Sequence, residues 1–147
     1  MALPADRTPV IIGIGEIVDR PADPALALEP LALMADAIRA ADADAGGGFL
    51  ARIDSLDVIN LVSWRYDRVA QRLAERLGIN PARAKYGVVG GETPTTRIHE
   101  AALRIMNGNS LVAVVTGGEA TTAVAKAKAA AIDLPWTPPA AKVEHPI

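Results

Sequence analysis

Two stretches of this 147-residue chain bring together residue types that can handle a negatively charged or polarised ligand. They are Val88-Val89-Gly90-Gly91-Glu92-Thr93 and Val114-Val115-Thr116-Gly117-Gly118-Glu119-Ala120-Thr121. Each passes from an apolar run into a glycine pair, then an acid, then a hydroxyl residue. The pairs Gly90-Gly91 and Gly117-Gly118 let backbone come close to a ligand or a neighbour. A helix starting just beyond each pair offers free N–H groups to an anion or an oxyanion. The plainer reading is a tight strand-to-helix turn, with Glu92 and Glu119 complementing the helix dipole. Glu92 could deprotonate a substrate carbon if buried, or be a solvated charge if not. Thr93 and Thr95 supply hydroxyls, but a threonine nucleophile needs an adjacent base, and none is visible.

His99 is the other candidate. It reads either as a general base in a dry site or as a helix histidine bonded to a neighbour across a packing interface. No histidine or carboxylate stands four residues away on its face, so the second reading is the expectation. With two histidines, His99 and His145, and no cysteine, the chain alone can build no histidine-based or cysteine-based zinc site and no disulfide. Gly13-Ile14-Gly15-Glu16-Ile17-Val18 has two glycines of a dinucleotide fingerprint. It lacks the third and the helix that must follow. A Walker A sequence and a Gly-x-Ser-x-Gly elbow are both absent.

The elements that would position these residues alternate. Pro9 to Gly15 is a short β-branched run that predicts a buried strand, and Asp19 to Pro30 predicts a loop. Glu29-Pro30 opens a helix that places Leu31, Met34, Ala35 and Ile38 on one face and ends before Gly46-Gly47-Gly48. A second strand is expected within Ile53 to Ser63. A helix capped by Asp67 is expected through Leu77, with Gly78 just beyond it. Ala84 to Gly90 predicts the third strand. Thr93 as N-cap and Pro94 at the first helical position open the next helix, which runs to Asn107-Gly108. Ser110 to Thr116 predicts the fourth strand and Thr121 to Ile132 the last helix. Four near-continuous apolar strands alternating with helices predict an α/β layered fold with a mostly parallel sheet covered on both faces. Residues 1–134 form that domain and residues 135–147 an irregular Pro-rich tail.

One helix carries more apolar surface than a single sheet can use. Between Thr95 and Asn107, at about 100° per residue, Ile98, Ala101, Ala102, Leu103, Ile105 and Met106 cover an arc of about 200°. Burial on two sides is expected, with the second layer coming from another domain or chain.

Composition narrows the classes. Lys and Arg number 15 against 17 Asp and Glu, a net charge of −2, so nothing marks a nucleic-acid or anionic-membrane surface. Aromatic residues are 3%, too few for a base-stacking platform. No run reaches the roughly 20 apolar residues of a membrane span. Val10 to Ile14 is too short for a signal segment, so the cytoplasm is the expected compartment.

Residues Val88 to Thr122 resemble the region around the nucleophile of the thiolase superfamily. Ala101, Ile105 and Gly108 match the pattern of the family's buried helix, and Val112 to Val115, Gly117-Gly118 and Glu119 match the strand and turn that follow. Pro9-Val10-Ile11-Ile12-Gly13-Ile14-Gly15-Glu16 is similar to its first strand. The likeness extends to Ile132 and is greatest to sterol-carrier-protein-linked and acetyl-CoA acetyltransferase thiolase-like proteins. It implies the N-terminal half of an acyl-CoA acyltransferase of lipid metabolism, with a coenzyme A thioester as substrate and no bound cofactor or metal. Counting back from Gly108, the family's catalytic cysteine falls on Gly91, so the resemblance implies a family member whose nucleophile position is degenerate. Gly90, Gly91, Gly117 and Gly118 are then the implied substrate-binding residues, with Glu92, Thr93 and His99 the neighbours of the empty nucleophile position. The family's Asn motif, Gly-His-Pro histidine and second cysteine belong to its other half, and Glu144-His145-Pro146 is not their equivalent. The resemblance also implies a second α/β half, from a partner chain or a homo-oligomer, and dimerisation through Lys85 to Gly90. The alternative is a non-catalytic binding or scaffold subunit. The ending, Lys142 to Ile147, reads as an interruption.

Overall fold

The computed structural model describes residues 5–142. Its order is α1 (Pro30–Asp44), β1 (Ser55–Val58), α2 (Val69–Leu77), β2 (Arg83–Tyr86), α3 (Thr93–Met106), β3 (Ala113–Thr116) and α4 (Thr121–Ala130), with short 3₁₀ turns before and between. The three strands are parallel in the order β2-β1-β3. The chain therefore moves one way from β1 to β2 and reverses to reach β3. Parallel crossovers are right-handed, so α2 and α3 must cover opposite faces of the sheet. The side chains agree. Leu56 and Val58 of β1 join the core built on α1 and α2, while Asp57, pointing the other way, meets Arg104 of α3.

The α1/α2 face is the hydrophobic core: Met34, Leu56, Val58, Val69 and Leu73 are almost wholly buried. α2 ends as expected at Gly78, whose φ of 69° is the left-handed conformation glycine adopts without a Cβ clash. Asp67 does not cap α2. It accepts from Nε and Nη2 of Arg72 instead, and Arg68 occupies the cap position in a left-handed conformation. That bond holds the exposed Asp67 carboxyl below its usual pKa.

The α3 face differs from expectation. β2 reads Arg83-Ala84-Lys85-Tyr86, and its alternation gives the sheet one apolar face and one polar face rather than two apolar ones. The wide apolar arc of α3 stays largely open: only Thr93 and Ala101 are buried, and Ile98 is 53% exposed.

Pro9 to Gly15 forms no strand, so the sheet has three strands rather than four. The segment lies against α1 so tightly that a Cβ on Gly13 or Gly15 would sit 2.2 Å from the Ala41 carbonyl oxygen or 2.0 Å from that of Ala37. The Ile14 N–H donates to the Asp44 carboxylate at 2.9 Å, not to a neighbouring strand. Val10, Ile11 and Ile14 are left more than two-thirds exposed. Helix packing has claimed the segment, and β propensity alone supplies no pairing partner.

Beyond α4 the chain has neither helix nor strand up to residue 142, but it is anchored. Trp136 donates to the Ala27 carbonyl, Trp64 donates to that of Thr137, and the two indoles meet edge to face with centroids 5.0 Å apart. Thr137 and the Tyr66 hydroxyl both donate to Glu29. Burial, with the Glu29 carboxylate adding to it, pushes the Tyr66 phenol well above its ordinary pKa and keeps it a neutral donor. Glu144-His145-Pro146 lies outside the described residues.

Candidate site at the carboxyl rim of the sheet

In open α/β sheets ligands gather outside the carboxyl ends of the strands, where the strand order reverses. Here three loops meet at that rim: residues 59–63 after β1, 87–92 after β2 and 117–120 after β3. The loop after β1 ties the other two together. Asn60 Nδ2 donates to the Gly87 carbonyl at 3.2 Å, and the Leu61 N–H donates to the Tyr86 hydroxyl at 3.0 Å. On the other side, the Val62 and Ser63 N–H groups donate to the two oxygens of Glu119 at 2.7 and 2.9 Å. Ser63 Oγ in return accepts from the Ala120 N–H at 3.0 Å.

Glu119 is therefore a clasp between loops. Removing it as Glu119→Ala should quicken amide exchange at Val62 and Ser63 by about tenfold, the equivalent of one net hydrogen bond, read by hydrogen-exchange NMR. Gly117 and Gly118 serve the same closure: a Cβ on Gly117 would touch Ile59 at 3.2 Å, and one on Gly118 would touch Met34 at 3.0 Å.

The second glycine pair is different. Gly90 is covered by the Glu92 carboxylate, which would lie 2.7 Å from a Cβ there, whereas nothing lies within 4 Å of a Cβ on Gly91. Glu92, not Thr93, takes the N-cap position of α3, and its side chain makes no cap bond. Thr93 is the first helical residue, buried, with its Oγ1 donating to the Val88 carbonyl at 3.1 Å. That hydroxyl holds the turn closed, and the carbonyl that accepts its proton is no base that could activate it. Glu92 is exposed, so no dry pocket surrounds its carboxylate.

His99 is also exposed, and its side chain makes no hydrogen bond to the described residues. It stands six residues beyond Thr93, about 9 Å along the axis of α3, so the helix does not bring it to Gly91. Among the described residues no group of three histidines or acids is placed to hold a metal, and no helix is long and apolar enough to cross a membrane. Asn60, Ser63 and Tyr86 were not legible as rim residues, because only the register of β1 against β2 and β3 brings them there.

No protein-family model and no curated protein sequence matches the chain. Among solved structures it is similar to a monomeric SCP2-thiolase-like protein type 1 from Mycobacterium smegmatis, with 28% identity and a TM-score of 0.68. The likeness covers 80% of this chain and 24% of that protein, so the chain spans about a quarter of the relative's length. The three-stranded parallel sheet, its flanking helices and this likeness agree: the chain has the α/β fold of a thiolase-like half and is related to the SCP2-thiolase-like proteins.

Proposed function

We propose that this chain is the N-terminal part of a thiolase-like protein that binds a coenzyme A thioester without forming an acyl-enzyme on this half. The observation that carries this is Gly91. It occupies the position implied for the family's cysteine, between β2 and the N-terminus of α3, and the space where a side chain would stand is open. An acyl-enzyme needs a nucleophile at that point, activated by the helix end or a base. Glycine offers none, the neighbouring Thr93 hydroxyl is occupied, and the chain contains no cysteine. The Gly90 and Gly91 N–H groups, just before α3, remain for a thioester carbonyl, while the Thr93 N–H is taken by the Gly90 carbonyl and Pro94 has none; this supports binding rather than acyl transfer. The remaining polypeptide of a cytoplasmic thiolase-like protein would cover Ile98 and Leu103. The relative's description as monomeric favours further chain over a second copy as that cover.

Incubation with acetyl-CoA followed by intact-mass spectrometry should show no added acetyl group, and saturation-transfer NMR should show contact with coenzyme A. An acetyl adduct on any residue of the chain overturns the non-covalent reading, and absent transfer overturns the thioester. In a companion variant, Gly91→Cys, the open space predicts a folded protein. Its thiol, at a helix N-terminus, should be alkylated by iodoacetamide at pH 7 several-fold faster than a free thiol.

A further inference from the structure

At the opposite end of the sheet, outside the amino ends of the strands, a cleft of about 280 Å³ is lined by Arg83, Arg104, Asp54, Ser55, Asn109 and Ser110, among others. Its chemistry is set by arginine. Arg83 reaches it from β2 and Arg104 from α3. The Arg7 guanidinium lies beside the same rim, its carbon 3.6 Å from the point a Gly108 Cβ would take. Two guanidiniums thus line the cleft and a third stands beside its Gly108 edge, in a chain whose net charge is −2.

The two nearby carboxylates are already engaged. Asp57, wholly buried beneath the cleft, accepts from Arg83 Nη1 at 2.6 Å and from Arg104 Nη2. Asp54 accepts from the Ser110 hydroxyl and, at 2.7 Å, from the Leu111 N–H. Each guanidinium has five N–H donors in a fixed fork, and Asp57 takes one from each of Arg83 and Arg104. Two buried polar atoms of the lining residues, Ser55 Oγ and Arg104 Nε, have no hydrogen-bond partner among the described residues. Buried polar atoms rarely stay unpaired, and Arg83 and Arg104 carry more N–H donors than the described residues accept.

We propose that this cleft is a binding site for a small phosphate-type oxyanion, held by Arg83 and Arg104 with Arg7 at its edge. A tetrahedral oxyanion carries the several acceptors and the negative charge the arginines lack, and guanidinium forks match its geometry. The site is separate from the carboxyl rim and stands whether or not that rim binds a thioester.

The test is calorimetric titration of the full chain with inorganic phosphate, against sodium chloride at matched ionic strength. Phosphate is expected to give saturable heat that chloride does not. In Asn109→Asp the added carboxylate at the exposed lip of the cleft should weaken phosphate binding by about threefold or more, with an unchanged circular dichroism spectrum reporting an intact fold. Phosphate heat no greater than that of chloride overturns the proposal. So does an affinity for Asn109→Asp within threefold of the parent's. Should that variant not fold, Arg7→Gln takes its place under the same two criteria.

Discussion

Replacing Asp57 with alanine should lower the stability of this chain by about 3 kcal/mol, read as a fall in the urea midpoint at unchanged slope. Asp57 is wholly buried in the middle strand and is the shared acceptor of two arginines from different elements. Its loss leaves Arg83 and Arg104 facing each other without a counter-charge, and breaking a buried pair from one side costs about 3–5 kcal/mol. The low end applies because the two arginine side chains are 27% and 16% exposed, so water relieves part of the penalty. The loss should be concentrated on the α3 face: Arg104 ties α3, which packs on β3, to the middle strand β1, and α3 buries few side chains of its own. A double-mutant cycle with Arg104→Ala should return a coupling of about 1–3 kcal/mol. A change under about 1 kcal/mol in Asp57→Ala would show that the triad is idle.

The neighbouring residue makes the second large prediction, on the other side of the same strand. Leu56 has no exposed surface and lies in the core built on α1 and α2. Leu56→Ala should cost about 2–5 kcal/mol, the transfer energy of the lost methyl groups plus the cavity they leave. Well-packed helices on one side and two hydrogen-bonded neighbours on the other give the site little room to collapse. Against a total stability of about 5–15 kcal/mol for a domain, that is enough to populate unfolded chain. Circular dichroism melts would report it, and a melting temperature within a degree or two of the parent's would contradict the packing described for this face.

These two residues show where sequence reading stopped. The Leu56-Asp57-Val58 run identified a buried strand, but periodicity could not say what stabilises a charged residue in its middle. The partners stand 26 and 47 residues away in the chain. Only the parallel register of β2 and the crossing of α3 to the opposite face bring them together. The same holds at the rim. Glycine pairs, β-branched runs and a proline after Thr93 marked the turns, because backbone preferences are local. That Glu119 clasps the loop after β1, while Glu92 lies over Gly90, depends on contacts no local signal contains. The Pro9–Gly15 segment failed for the converse reason. Its strand propensity is real, but a strand exists only with a partner, and this segment's glycines fit it to the backbone of α1 instead.

By itself the sequence determined the alternation of helix and strand, the absence of a cysteine nucleophile, and the excess apolar arc of α3. Each follows from residue type and spacing within one element. Tertiary structure alone decided which acids are engaged and which position at the rim stands open. It also left the arc of α3 uncovered by the described residues and gathered three arginines at the far end of the sheet. Those outcomes depend on the approach of elements distant in sequence, where electrostatics and packing act through space rather than along the chain.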